Sequence, residues 1–224
     1  MKHFYTIALL LFTGLAFSQR TIDKQVGDFN EIKVFDLIEV NLIQSDENRI
    51  VIKGDNTTDI KWVNKDGVLK LRMQLDKKFT GENTFIEVYY TDVDVIDANE
   101  GARITCNELV KKTKLELRAQ EGGKISIGMD VAVVDIRAVT GGIIEASGLA
   151  ENQSIVLNTG GIFEGSDLRT SIAEVKIQAG GEAEVFASER IDINVKAGGD
   201  VTVYGKPKEV NKKTFAGGRV RVLD

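Results

Sequence analysis

Along the second half of the chain, apolar and polar side chains alternate in short runs. Leu115-Leu117-Ala119, Ile125-Ile127, Val134-Ile136-Ala138, Ile144-Ala146, Ile155-Leu157 and Phe163-Gly165 each occupy every second position. Val175-Ile177-Ala179, Ala183-Val185, Ile191-Ile193-Val195-Ala197, Val201-Val203 and Val220-Val222 continue the series. A period of two is the strand period, so these residues are predicted to point into one core. A glycine pair punctuates the runs at one phase: Gly122-Gly123, Gly141-Gly142, Gly160-Gly161, Gly180-Gly181, Gly198-Gly199 and Gly217-Gly218. The nearly constant step between pairs, a fixed period of about 20 residues, marks stacked repeat units. Each unit reads as strand, Gly-Gly corner, strand and turn, with Leu149 and Leu168 punctuating two of the turns. Glycine suits the corner because it accepts positive φ and carries no Cβ to strike the neighbouring coil. No helical pattern separates the strands, so successive units must pair in parallel. The prediction is an all-β chain forming a right-handed parallel β-helix, or β-solenoid, with coils of about 19 residues.

Asn99-Glu100-Gly101-Ala102-Arg103-Ile104 resembles Gln120-Glu121-Gly122-Gly123-Lys124-Ile125 and reads as a degenerate first corner, one repeat upstream. Residues 98–224 are therefore assigned to the Gly-Gly solenoid. Residues 19–97 are assigned to a β-rich capping or less regular part, the two together forming one continuous domain. Strand-like runs there are Glu31–Phe35, Leu37–Ile43, Arg49–Lys53, Ile60–Val63, Val68–Leu75 and Phe85–Tyr90. Lys65-Asp66-Gly67 predicts a hairpin turn. Tyr89-Tyr90 weakens the alternation locally.

Residues 1–18 read as a secretory signal. Lys2 and His3 precede an apolar run from Thr6 to Phe17, and Ala16 and Ser18 place small residues before a cut at Ser18/Gln19. The run is too short for a lasting transmembrane helix. An exported protein of the periplasm, outer surface or extracellular space is expected. The chain carries a net charge of −5 and no concentrated basic stretch, which argues against nucleic acid as a partner.

The alternation also names the exposed columns. Four residues before the glycine pairs stand Arg118, Arg137, Val156, Lys176, Asn194 and Lys213; six before stand Glu116, Asp135, Ser154, Glu174, Asp192 and Asn211. These read as a salt-bridged, solvated face. Beyond the pairs, Glu145, Glu164, Glu182, Glu184 and Asp200 cluster as an acidic patch. Like charges at ladder spacing repel, and a hard cation such as Ca²⁺ would relieve them. Screening by water and salt does so as well, and the solvated reading is the favoured one.

Catalytic chemistry is sparse. His3 is the only histidine and lies in the signal, which leaves no Ser-His-Asp or Cys-His arrangement and no histidine zinc site. No phosphate-cradling G-x-x-x-x-G-K-[ST] loop is present. Asp92, Asp94 and Asp97 form the one candidate carboxylate cluster for glycoside chemistry, with Asp92 and Asp94 expected on one strand face. The Asp55–Asp59 turn offers oxygen ligands that turn chemistry explains equally. Cys106 is the single cysteine and is expected to be buried. The aromatic residues of the repeats, Phe163, Phe186, Tyr204 and Phe215, fall at different phases, which speaks against a sugar-stacking row.

Phe35-Asp36-Leu37-Ile38-Glu39-Val40, the following Val51-Ile52-Lys53-Gly54-Asp55 and the serial Gly-Gly coils resemble the putative auto-transporter adhesin, head GIN domain family. The resemblance runs from about Phe29 to Asp224. It implies an exported bacterial β-helical domain and transfers no catalytic residue. The expected function is that of a non-catalytic cell-surface or periplasmic interaction module that binds a protein or glycan. A carbohydrate-binding or carbohydrate-active β-helix and an envelope scaffold are the alternatives. The unpaired strand edge of the last coil, Arg219-Val220-Arg221-Val222, further suggests a dimer or trimer.

Overall fold

The structure is a computed structural model that describes residues 21–223; the secretory signal expected over residues 1–18 lies outside the described residues. Strands occupy 68% of the described residues, there is no α-helix among them, and the coils wind into a β-solenoid of about 7 turns.

In chain order the first strands are β1 (Ile22–Gln25), β2 (Glu31–Val34), β3 (Glu39–Gln44), β4 (Arg49–Gly54), β5 (Ile60–Lys65), β6 (Val68–Met73), β7 (Thr84–Tyr90) and β8 (Val95–Ala98). The long strands β9 (Arg103–Gln120), β10 (Lys124–Val139) and β11 (Ile143–Asn158) follow. Shorter ones complete the chain: β12 (Gly161–Gly165), β13 (Leu168–Ile177), β14 (Gly181–Phe186), β15 (Arg190–Ala197), β16 (Asp200–Tyr204), β17 (Glu209–Ala216) and β18 (Arg219–Val222).

Two broad faces result. Down one run β5, β6, β2, β8, the second halves of β9, β10 and β11, then β13, β15 and β17. Down the other run β1, β4, β7, β3, the first halves of β9, β10 and β11, then β12, β14, β16 and β18. From β2 and β3 onward every pairing is parallel, as coils wound in one sense require. The three antiparallel pairings among the described residues, β1–β4, β4–β7 and β5–β6, all lie at the N-terminal end. Asp66 and Gly67 both take positive φ (52° and 77°) in the tight turn that joins β5 to β6, as the hairpin signature predicts.

The core is one continuous column between the faces. Ile104, Ile125, Ile144 and Phe163 stack on one side and Leu117, Ile136, Ile155 and Val175 on the other, all buried. Strand β7 is more regular than Tyr89-Tyr90 suggested: Thr84, Ile86, Val88 and Tyr90 point in, and Tyr89 points out beneath the Arg49 guanidinium.

The two glycines of a corner do different work. Gly122 takes φ +75° after Glu121 at +54°, a consecutive left-handed pair that reverses the chain. A Cβ on Gly123 would lie 2.2 Å from the carbonyl oxygen of Ala98 in the coil before it. Gly142 and Gly161 meet Ala119 and Ala138 in the same way. After Gly161 the corner changes: Gly181, Gly199 and Gly218 themselves take positive φ, and the nearest carbonyl recedes to 2.9 Å or more. Ala179 and Ala197, expected inside, are exposed for this reason, whereas Ala119 and Ala138 are buried. Leu149 and Leu168 are not equivalent either. The extra residue at Ser166-Asp167 shifts the register so that Leu168 stands opposite Gly148 and is buried, while Leu149 is exposed.

Candidate functional site

The predicted columns are real rows of neighbours. Arg118, Arg137, Val156, Lys176, Asn194 and Lys213 stand in register, as do Glu116, Asp135, Ser154, Glu174, Asp192 and Asn211. Ion pairs join them along strands, Arg118 to Glu116 at 2.7 Å and Lys176 to Glu174 at 2.7 Å, and across coils, Lys114 to Asp135 at 2.8 Å. Such surface pairs, half-buried at Arg118–Glu116 and more open at the other two, contribute about 0–1 kcal/mol each. This face is a solvated lattice.

The other face is carved. An open groove of about 710 Å³ runs down it, with Ser126, Glu145, Glu164 and Glu184 along its floor. The last three are in-register neighbours on β11, β12 and β14, one strand spacing of roughly 4.8 Å apart. Two departures from the regular repeat step form its walls. In the first coil, Cys106 stands opposite Ile127 and Leu109 opposite Gly128, so Asn107 and Glu108 bulge outward. The bulge is tied down by Asn107 Nδ2 donating to Asn41 Oδ1 (3.2 Å) and by Glu108 Oε2 accepting from the Gln44 N–H (3.2 Å). In the longer fourth coil, Ser166-Asp167 forms a separate turn between β12 and β13. Asn107, Glu108, Leu109, Ser166 and Asp167 were not singled out from the composition of the columns. Their signal was the spacing itself: the two longest steps of the repeat, from Gly101 to Gly122 and from Gly160 to Gly180, fall at these walls.

The five carboxylates of the acidic patch do not form one cluster. Glu145 pairs with Lys124, which holds its carboxyl below the usual range. Glu164 moves up, first from partial burial and then from the neighbouring Glu145 and Glu184. Glu182 and Asp200 line a separate groove of about 350 Å³ floored by Gly160, Gly181, Gly199 and Gly218. There Arg219 grips Asp200 with two bonds, Nε to Oδ1 at 3.0 Å and Nη2 to Oδ2 at 2.7 Å, and lowers its pKa. Among the described residues, no three Asp, Glu, His or Cys side chains gather as a metal-binding group.

The carboxylates considered for catalysis are separated as well. Asp92 and Asp94 lie in a loop, not on a strand, and Lys112 clamps both, at 2.8 and 2.5 Å. Its ammonium holds Asp94 below the ordinary carboxylate value. Asp97 is buried and accepts from Asn99 (3.0 Å) and Lys33 (3.3 Å). It lines a groove of about 380 Å³ with Lys33, Glu116, Arg118 and Arg137, on whose lining Asp92 and Asp94 do not appear. In the Asp55–Asp59 turn, Asp55 contributes backbone bonds, its N–H to Asn83 and its carbonyl to the Thr84 hydroxyl, which is turn chemistry. Cys106 is buried at the groove's upper end, where burial pushes both its thiol and the nearby Tyr90 hydroxyl upward. The aromatic residues differ from their expected scatter in one respect: Phe186 and Tyr204 are direct neighbours on β14 and β16. Arg169 covers the Phe186 ring at 5.2 Å, so no free stacking platform results there.

The solenoid is similar to solved structures of bacterial proteins. A putative adhesin from Bacteroides fragilis superposes with a TM-score of 0.85 at 20% identity, covering 93% of this chain and 98% of that one. A protein described as a putative lipid binding protein, from Parabacteroides distasonis, gives 0.72 at 17% identity, covering 93% and 98%. A putative adhesin from Parabacteroides merdae gives 0.68 at 16% identity over the same shares. At these identities the likeness is one of fold. No curated protein matches the sequence. Residues 28–207, with the glycine corners that set this coil, match the family described as putative auto-transporter adhesin, head GIN domain, and the chain belongs to that family.

Proposed function

We propose that the protein is an exported, non-catalytic, adhesin-like module that binds a protein or glycan in the groove over Glu145, Glu164 and Glu184. The observation that carries this reading is the placement of the two coil-length irregularities. A solenoid with uniform coils has flat faces. Here the Asn107-Glu108 bulge and the Ser166-Asp167 turn give one face two walls around a row of carboxylates, three serines and Leu109. Carboxylates and hydroxyls in a row suit a ligand rich in donors, such as the hydroxyl and amino groups of a glycan or the basic side chains of a peptide. Binding by a repetitive surface needs no turnover, and Asp92, Asp94 and Asp97 are each occupied by a cation or an amide. We read the carboxylate columns as solvated and partly neutralised by Lys124 and Arg219, with no bound cation required.

The test is a glycan-array and whole-cell binding screen with the chain, run beside Glu164→Lys and Glu184→Lys. A ligand retained by the parent and lost by both variants supports the groove. A ligand retained by both variants places binding elsewhere, and no ligand on either screen leaves the scaffold reading in its place. Calcium titration by calorimetry is expected to give no heat.

A further inference from the structure

The last coil carries a charge opposite to that of the molecule. From Gly205 onward stand Lys206, Lys208, Lys212, Lys213, Arg219 and Arg221 against Glu209 and Asp224, in a chain of net charge −5. Lys208 and Arg219 are engaged by Glu189 and Asp200. The other four cations have no ion-pair partner among the described residues. The same coil is apolar where it is most exposed. Phe215 is 89% exposed on the outer side of β17, and Val210, Val222 and Leu223 are also exposed. Every residue of β17 is exposed, because β15 covers one of its edges and, among the described residues, no strand covers the other. A bare phenylalanine amid cations, at one end of a rod, is an amphipathic tip.

Two of its features say what does not cover it. Tip-to-tip pairing with a second copy would bring like charges together. An apolar strand would have to bury Lys212, which stands in the core column beneath Leu117, Ile136, Ile155, Val175 and Ile193. An anionic bilayer surface meets the tip on better terms. Phosphate headgroups neutralise the cations, the Phe215 ring enters the interfacial zone, and interfacial water continues to serve the free strand edges.

We propose that the C-terminal coil docks on anionic lipid headgroups and stands the solenoid on end at a membrane surface. This site is separate from the acidic groove, so either can fail alone. The test is co-sedimentation of the chain with phosphatidylcholine vesicles, with and without phosphatidylglycerol. Binding is expected only to the anionic vesicles and is expected to be lost at about 0.5 M salt. At about 1 kcal/mol per cation, each Lys→Glu change at 212 or 213 should weaken it at least about fivefold. Phe215→Ser should weaken it about tenfold, from loss of the ring's interfacial burial. Lys61→Glu and Lys65→Glu, at the far end, should leave it unchanged, and thermal melts confirm that all variants fold. Three results would overturn the proposal: no binding to anionic vesicles, equal loss with the far-end variants, or a discrete dimer abolished by Lys212→Glu while vesicles stay unbound.

Discussion

The two ends of this solenoid solve one problem in opposite ways. A stack of coils exposes unpaired strand edges and a cross-section of core at each end. At the N-terminal end the chain covers the cross-section. Strands β4, β5 and β1 run antiparallel to their neighbours and fold over the first coils, with Ile22, Val26 and Trp62 packed on the core. At the C-terminal end no described strand covers the last coil. The last coil instead becomes polar inside: Lys212 and Thr214 occupy the columns that hold Ile193 and Val195 one coil earlier. Covering costs a long irregular segment but frees the interior to be fully apolar. A polar last coil costs little chain but gives up burial, and it leaves an end whose chemistry is visible to partners.

The sharpest break should come from the middle coils, which share neither solution. Gly142→Ala drives a Cβ to 2.1 Å from the Ala119 carbonyl oxygen. It is expected to cost about 3–5 kcal/mol by chemical denaturation. Gly217→Ala at the tail meets nothing within 4 Å and suffers only from its positive φ, about 1 kcal/mol. Next comes the covered end. Buried Asp36 accepts the backbone N–H groups of Met73 (3.0 Å) and Phe79 (3.3 Å), holding the loop after β6 against the cap. Asp36→Ala should cost about 2–3 kcal/mol and raise amide exchange in β6 before the tail changes. At the open end, Lys212→Ile should alter stability by no more than about 0.5 kcal/mol. It should also promote concentration-dependent end-to-end association in sedimentation velocity, because it removes an inward charge that blunts the edge.

The smallest effects are acid–base. Glu164 lies above its ordinary value of 4.5, so its ionised form weakens the fold at neutral pH, and protonation removes that penalty. Glu164→Gln should raise the melting temperature slightly at pH 7 and not at pH 4. Asp94, held by Lys112, lies below its ordinary value of 3.8. Its contribution is full above that value and fades as pH falls through the lower folded one, so Asp94→Asn should flatten the acid limb of the stability profile.

Much of the coil was legible from Gly122 to Gly218, because a glycine pair and a period of two constrain the same residues twice. The registers of Glu145 with Glu164 and of Arg118 with Arg137 follow directly from counting. The corner change after Gly161 was not legible, since Gly-Gly reads alike whether one or both glycines take positive φ. Nor was the grouping of the carboxylates. Glu182 and Glu184 differ by two positions, which keeps them on one face yet assigns them to different grooves. Asp92 and Asp94 looked like a strand pair because alternation cannot distinguish a strand from a loop held by a distant lysine. The groove walls were present in the sequence only as two slightly lengthened steps, Gly101 to Gly122 and Gly160 to Gly180. Such departures are small against the variation that loops ordinarily tolerate.

The opposed ends also have a mechanical meaning. Because the described chain enters at the capped end and leaves at the open one, tension along the axis would load the last coil first. The bonds of β17 to β15 and of β18 to β16 would then part in sequence, like a zip, not all at once in shear. Each coil of about 19 residues would release roughly 65 Å of extended chain. A rod held by its tail would therefore lengthen in even steps under load while its groove coils stayed wound.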